Sequence, residues 1–371
     1  MAHFIKDIIN ALSVPTIFFS GSIVLWWAIM KYHTVWTRPV VMKKVFWFSV
    51  IGLALAMTDE NFFKEASKPD NIPIWLMTYG VGFFVWLSFY RGAQNDALAA
   101  EGKPNLEKAE SDKRVYTWPD LVYSELICMV IFTAFLIAWG LVFQAPLEEP
   151  ANAGVTPAVA KAPWYFLGLQ EMLVYFDPWM AGVILPMFII TGLIGLPYMD
   201  VNPRGNGYYT IKERFGVIWA FGFGFIVLWI ALIFLGTFMR GPGWNFFGPF
   251  EFWDTHKVEA LSNINLSEIV WIKFLNTALP SSEGLSGIMG ILAILKREAV
   301  GLVLIIFYMV ALPPILGATI FKKVYEDFGF ARYNFLMIHL LMMASLPIKM
   351  YLRWMFNLKY LVSMPEIAFN I

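Results

Sequence analysis

Residues 119–143 read PDLVYSELICMVIFTAFLIAWGLVF. With only Asp120 and Glu125 charged, the run is long enough to cross the ~30 Å hydrocarbon core as a helix, which takes about 20 residues. A helix also satisfies its own backbone polar groups, which lipid requires. Working outward with the same window finds further apolar runs near 12–31, 43–58, 72–91, 179–198, 215–238, 299–321 and 333–356. The run at 43–58 is the shortest and must tilt little or borrow flanking aromatics. The first run lacks the charged start and small-residue cleavage site of a secretory signal, so it reads as a retained helix. The expected fold class is all-α: a polytopic membrane helix bundle of about eight transmembrane helices.

Composition agrees with that reading. Of the 371 residues, 59% are hydrophobic, 18% aromatic and only 15% charged, too little polar surface for an ordinary soluble domain. Lys plus Arg equals Asp plus Glu at 27 each, so no basic excess suggests nucleic acid as a partner; membrane lipid is the expected surroundings. The single cysteine, Cys128, excludes an internal disulfide, a Cys-x-x-Cys-His haem attachment and an iron–sulfur cluster held by this chain alone; it reads as a small buried apolar residue.

Charge bias orients the bundle, because Lys and Arg accumulate in short cytoplasmic loops. Lys31, Arg38, Lys43 and Lys44 follow the first run, and Arg91, Lys103, Lys108, Lys113 and Arg114 follow the third. Later come Arg204, Lys212 and Arg214, then Lys322, Lys323 and Arg332. The alternating loops, including the acidic one at 59–71, then face the opposite, positive side together with both termini. Five segments follow: an N-terminal three-span extension (1–92), a polar cytoplasmic connector (93–115), a core (116–239), a positive-side aromatic loop with an amphipathic helix (240–298) and a C-terminal two-span extension (299–371). The loop opens with Gly241-Pro242-Gly243-Trp244, which forbids a continuing helix. Ile288, Ile291, Leu292 and Leu295 recur at helical spacing, as in a helix lying along a membrane surface. No internal repeat is apparent.

Tyr116-Thr117-Trp118-Pro119-Asp120, Glu149-Pro150-Ala151-Asn152, Thr156-Pro157 and Trp164-Tyr165-Phe166 occur in that order around and after the 119–143 run. The order resembles subunit IV of the cytochrome bf complex, equivalent to the C-terminal part of cytochrome b in bc complexes, over roughly residues 116 to 239. The cytoplasmic loop Pro197-Tyr198-Met199-Asp200-Val201-Asn202-Pro203 is similar in character to the family's connection. The resemblance implies a subunit of a bc/bf-type quinol:cytochrome c oxidoreductase in an energy-conserving membrane, the bacterial cytoplasmic (inner) membrane. Its implied partners are a haem-bearing cytochrome b chain, a Rieske or equivalent iron–sulfur protein and a c-type cytochrome. The family's b haems hang on paired histidines; with only His3, His33, His256 and His339 here, no haem is expected on this chain alone and no metal site is expected.

Quinol oxidation needs an apolar aromatic pocket and a base that carries protons to water. In the family a Pro-Glu-Trp-Tyr motif supplies the carboxylate. Here the aligned residues are Ala162-Pro163-Trp164-Tyr165, so the usual glutamate is a proline. The resemblance therefore implies quinol contacts at Pro163, Trp164, Tyr165, Phe166 and Leu167, while the base is either lost or relocated. Glu171 is the candidate for relocation: if Pro163 starts a helix, it lies seven residues beyond Trp164, almost two turns or about 10 Å along the axis and on nearly the same face. Its alternative is a structural role, capping or pairing with a neighbouring subunit. Asp177 reads as a turn residue or a step on a proton path, and Glu125 as a proton-uptake group or a salt-bridge partner of another subunit. His339 reads as hydrogen-bonded within the bundle.

Two other functions remain open at this point. A structural scaffold subunit, its quinol site lost with the glutamate, is the first; an inhibitor of quinol sites would then leave residues 160–175 untouched. A transporter-like or proton-channel subunit using Glu125 and Glu171 is the second, and would show an inverted repeat.

Overall fold

The structure is a computed structural model that describes residues 2–110, 115–144, 147, 150–154, 160–201, 210–259 and 262–371. Glu149, Thr156, Pro157, Asn202 and Pro203 of the sequence motifs lie outside the described residues, as do Lys113, Arg114 and Arg204. Among the described residues the chain is mostly helical, and the strands are the two-residue pair Ser363–Met364 and Phe369–Asn370, antiparallel.

Among the described residues, seven helices are long and apolar enough to cross a membrane: Pro39–Ala56, Ile72–Ala100, Thr117–Val142, Met180–Met199, Phe215–Phe238, Ala299–Ala318 and Lys322–Phe356. The eighth expected span is a broken pair, His3–Leu12 and Pro15–Lys31, bent by 77°. Pro15 lies in the first turn of the second member, where a proline fits because its missing N–H would be unbonded anyway. The run at 43–58 overlaps an 18-residue helix, Pro39–Ala56, that starts before it and ends at Ala56. The helix from Ile72 continues to Ala100, so the first turns of the polar connector extend a span. Several spans contain wide π-helical turns, among them Phe307–Ala311 within Ala299–Ala318. The chain is an integral membrane protein.

Two compact units divide the chain: Met1–Tyr165 with Pro203–Val227 and Thr237–Lys257, and Phe166–Asn202 with Leu228–Gly236 and Val258–Ile371. The first has its core at Phe19, Trp26, Met30, Ile74 and Phe89. Gly222 carries no side chain where the Trp26 ring lies, and the Trp26 Nε1 donates to the Trp219 carbonyl at 3.2 Å. The Asp59 carboxylate caps helix Glu60–Ala66 by accepting from the Phe62 N–H at 2.9 Å and pairs with Lys6. By contrast, no residue of Pro39–Ala56 or Thr117–Val142 is buried. Cys128, expected as a buried filler, lies exposed on the latter helix.

In the second unit, Met180–Met199 packs along Lys322–Phe356, with the Phe335 ring where Gly195 has no side chain. The Tyr333 hydroxyl donates to the Pro313 carbonyl at 2.7 Å and the Tyr308 hydroxyl to the Leu341 carbonyl at 2.6 Å, so the last two spans are joined by one buried and one half-buried phenol. Helix Ile288–Arg297 leaves Ile288, Met289, Ile291, Leu292 and Leu295 exposed along one side, the amphipathic pattern its sequence foretold. After it the C-terminal segment folds back: the Glu298 carboxylate accepts from Arg297 Nε at 2.9 Å and from the Ser363 N–H at 3.0 Å, while Arg297 grips Glu366 with both terminal nitrogens at 2.8 and 2.9 Å.

The hydrogen bonds from Arg297 hold the Glu366 carboxyl down at about 2, against an ordinary value of 4.5. A carboxyl depressed in the folded state stabilises the fold above the unfolded value and loses that contribution as pH falls through the folded one. The docking of 363–370 is therefore expected to weaken between pH 4.5 and 2, by about 1 kcal/mol after solvent screening of this exposed pair. Hydrogen exchange of the 363–370 amides checks this: protection should fall over that window in the native chain and change little in Glu366→Gln.

Candidate functional site

The segment after Pro163 begins as a 3-10 turn, Trp164–Phe166, and only then becomes the α-helix Leu167–Met172. Glu171 is therefore not on one continuous α-helix with Trp164, and the same-face expectation for the two does not carry over. Pro163 is exposed, Trp164 half-buried and edge-on to Tyr165 at 5.5 Å, and Tyr165 and Phe166 are 46% and 47% exposed. Leu167 is buried. Gly168 and Gly236 let Leu167–Met172 lie close against the 228–236 stretch: a side chain at 168 would meet the Trp229 carbonyl and Ile233, and one at 236 the Leu167 carbonyl.

That packing puts Glu171 in the interior, 0% exposed. Its Oε1 accepts from the Tyr175 hydroxyl, one helical turn on, at 3.2 Å. Tyr175 is also buried and stands edge-on to Trp354 at 5.8 Å. A carboxylate so placed costs several kcal/mol unless hydrogen-bonded or paired, which marks it as functional more often than not.

Asp177 starts the next span: its carbonyl accepts from the N–H groups of Met180 and Ala181 at 3.0 Å each, as expected of a turn residue before Pro178. Its carboxylate does more, accepting from the Tyr360 hydroxyl at 3.3 Å and from Asn370 Nδ2 at 3.1 Å. Burial, then the Asp177 charge, raise the Tyr360 hydroxyl above its ordinary value, and burial followed by Arg353 lowers the Lys359 amine. On the last span, Lys349 and Arg353 are buried one turn apart. Arg353 donates to the Asn357 carbonyl at 3.0 Å and to Asn263 Oδ1 at 2.5 Å, whereas the Lys349 Nζ, 2% exposed, has no hydrogen-bond partner among the described residues and faces the Phe176 and Tyr360 rings at 6.0 and 5.9 Å. The second unit thus holds acids Glu171 and Asp177, phenols Tyr175 and Tyr360, and amines Lys349 and Lys359, groups able to take or give protons, together with the permanent cation Arg353.

Other expected positions are dispersed. Glu125 stands exposed on Thr117–Val142. His339 lies with Nδ1 against the Phe335 carbonyl at 2.7 Å and Nε2 against the Thr191 hydroxyl at 3.1 Å, so both ring nitrogens are engaged within the bundle. Asp200 ends Leu185–Met199 in an extended conformation. Among the described residues no cluster of His, Cys, Asp and Glu could hold a metal ion. Sequence reasoning overlooked Tyr175, Lys349, Arg353 and Tyr360. The i, i+4 spacing of Glu171 with Tyr175 and of Lys349 with Arg353 was the signal that could have found the first three; nothing local marks Tyr360.

Comparison with known proteins bears on this segment. The chain aligns at 29% identity over 113 residues with a menaquinol:cytochrome c reductase cytochrome c subunit of Bacillus subtilis, and at 25% over 115 residues with the protein of that name from Geobacillus thermodenitrificans. These alignments cover 28% and 29% of this chain and 44% and 46% of the relatives, so the chain spans under half the length of the curated relatives it matches. No solved structure matches the chain. A family model described as cytochrome b (C-terminal)/b6/petD matches residues 150–247, which leaves Tyr116–Asp120 and the helix 117–142 outside and takes in Trp164, Glu171 and Asp177. On this match, the segment that buries Glu171 is similar to the cytochrome b C-terminal (b6/petD) family, and it lies within a longer membrane chain.

Proposed function

We propose that this chain is a haem-free subunit of a bc-type quinol:cytochrome c oxidoreductase that contributes to quinol oxidation on the positive side of a bacterial cytoplasmic membrane. The observation that carries this reading is the fully buried carboxylate of Glu171, bonded to Tyr175, inside a cytochrome b C-terminal region that has lost its motif glutamate to Pro163. The quinol contacts are assigned to residues 163–167, the first proton acceptor to Glu171, and the exit path to Asp177, with Glu125 a second candidate for proton movement. The names of the relatives favour menaquinol as the quinol.

A quinol releases two electrons and two protons, and this chain's part is confined to the protons. The electrons pass to carriers on partners: a haem-bearing cytochrome b chain, a Rieske or equivalent iron–sulfur protein, and a c-type cytochrome. The relatives are named as cytochrome c subunits; these 371 residues, with Cys128 as their one cysteine, contain no Cys-x-x-Cys-His attachment site. The aromatic 240–256 segment, with Phe252 exposed, is assigned as the dock for that cytochrome.

Menaquinol-dependent cytochrome c reduction by the purified assembly tests the reading, with Glu171→Gln as the diagnostic variant. The scaffold alternative retains one point in its favour, the proline at the motif position, and predicts unchanged activity in that variant.

A further inference from the structure

A groove of about 630 Å³ opens in the second unit, where Met180–Met199 ends and Lys322–Phe356 begins. Gly192 meets His339 and Gly195 meets Phe335, so the two spans run antiparallel and lead on from Phe335 to the same membrane face. Charge bias puts that face on the cytoplasmic side, since Lys322 and Lys323 stand at it. Beyond the Gly195–Phe335 contact the groove is lined by Tyr198 and Asp200 from one span and by Arg332 from the other. Gly329, at φ +71° and ψ 176°, breaks the second helix in a conformation that suits glycine. Arg332 therefore stands in the first turn of the piece that continues to Phe356, at the end whose dipole favours an anion.

Two opposite charges thus share the groove without neutralising each other. Arg332 is exposed and makes no hydrogen bond, ion pair or ring contact among the described residues. Asp200 is exposed, and a carboxylate has acceptor sites for several donors at once. Tyr198, 76% exposed, suits the level of lipid headgroups. A ligand that matches this lining carries a phosphate for Arg332 and, close beside it, an N–H cation for Asp200. A wholly anionic headgroup brings its charge against Asp200, choline has no N–H to donate, and a quinone ring carries no cation. We propose that the groove binds a phospholipid of the phosphatidylethanolamine class from the cytoplasmic leaflet, its phosphate on Arg332 and its primary ammonium on Asp200. By charge bias the site is on the other side of the membrane from the quinol contacts assigned to 163–167, so the two readings stand or fall separately.

The competing account is a crevice with two solvated charges. To separate them, the protein purified in detergent and stripped of lipid is titrated with phosphatidylethanolamine, phosphatidylcholine or phosphatidylglycerol of equal chain length and read by native mass spectrometry. One saturable lipid is expected, with phosphatidylethanolamine held about tenfold more tightly than the other two, the scale of one charge-assisted hydrogen bond. Arg332→Gln should weaken it about tenfold for the same reason. Asp200→Asn should keep phosphatidylglycerol binding and erase the preference for phosphatidylethanolamine. Both side chains are exposed, so the variants are expected to unfold at the wild-type temperature. Equal binding of the three lipids, or unchanged phosphatidylethanolamine binding in Arg332→Gln, would overturn the proposal and leave the crevice. A preference for phosphatidylglycerol would overturn the assignment to a zwitterion in favour of an anionic lipid. Saturable menaquinone binding with no saturable phosphatidylethanolamine would overturn it in favour of a quinone site.

Discussion

Glu171→Gln is expected to slow menaquinol-dependent cytochrome c reduction at least tenfold, about 1.4 kcal/mol of barrier. A positioned proton-transfer group commonly contributes about 10²–10⁴-fold, so the loss can be far larger. Glutamine keeps the size of the side chain and an oxygen that can accept from the Tyr175 hydroxyl, so the packing at a fully buried position survives the change. What disappears is the ability to take a proton. Tyr175→Phe is the companion: it removes the hydrogen bond to Glu171 and leaves the carboxylate, and should cost less while moving the pH dependence. The comparison is valid with haem content and subunit composition equal to wild type. Unchanged turnover in Glu171→Gln would remove this residue from the chemistry and favour the scaffold reading.

The largest stability effect is expected at Glu298. Its carboxylate is 1% exposed and serves both Arg297 Nε and the Ser363 N–H. Glu298→Ala leaves a guanidinium and a backbone amide without their buried acceptor, and breaking a buried pair in this way costs about 3–5 kcal/mol. Arg297 retains Glu366, so the lower end is expected. Thermal unfolding in detergent should report the loss, and proteolysis should begin in 357–371 before the spans are cut. A change of less than about 0.5 kcal/mol, the range of inert surface substitutions, would mean that the C-terminal segment is held by other contacts.

Spans were legible because lipid imposes one rule, about 20 apolar residues, that a single sequence displays. The first run, 12–31, corresponds to the helix Pro15–Lys31; the pattern missed the helix His3–Leu12 before it, from which the backbone turns by 77°. The amphipathic character of 288–297 was equally plain, since Ile288, Ile291, Leu292 and Leu295 repeat at helical spacing. The site was half visible. Glu171 stood out as a charge among apolar residues, but its environment is built by Tyr175 nearby and by the packing of its helix on the 228–236 stretch, which no local pattern connects to it. Cys128 was misjudged because burial in a bundle cannot be told from immersion in lipid by apolarity alone.

The wide turn at Phe307–Ala311 changes the geometry of its span in a way a helical wheel would miss. Gly301, where a side chain would strike the Leu361 carbonyl, and Gly317, against the Tyr333 hydroxyl, are sixteen residues apart. On a regular α-helix two such positions point about 160° apart, on opposite sides. One inserted residue takes up about 100° of rotation and brings them to within about 60°. A single rod can thereby offer both of its notches to the last 50 residues of the chain, one to the returning tail and one to the final span. Straightening that turn by deleting one residue would rotate one notch away from its partner without altering any side chain at either contact.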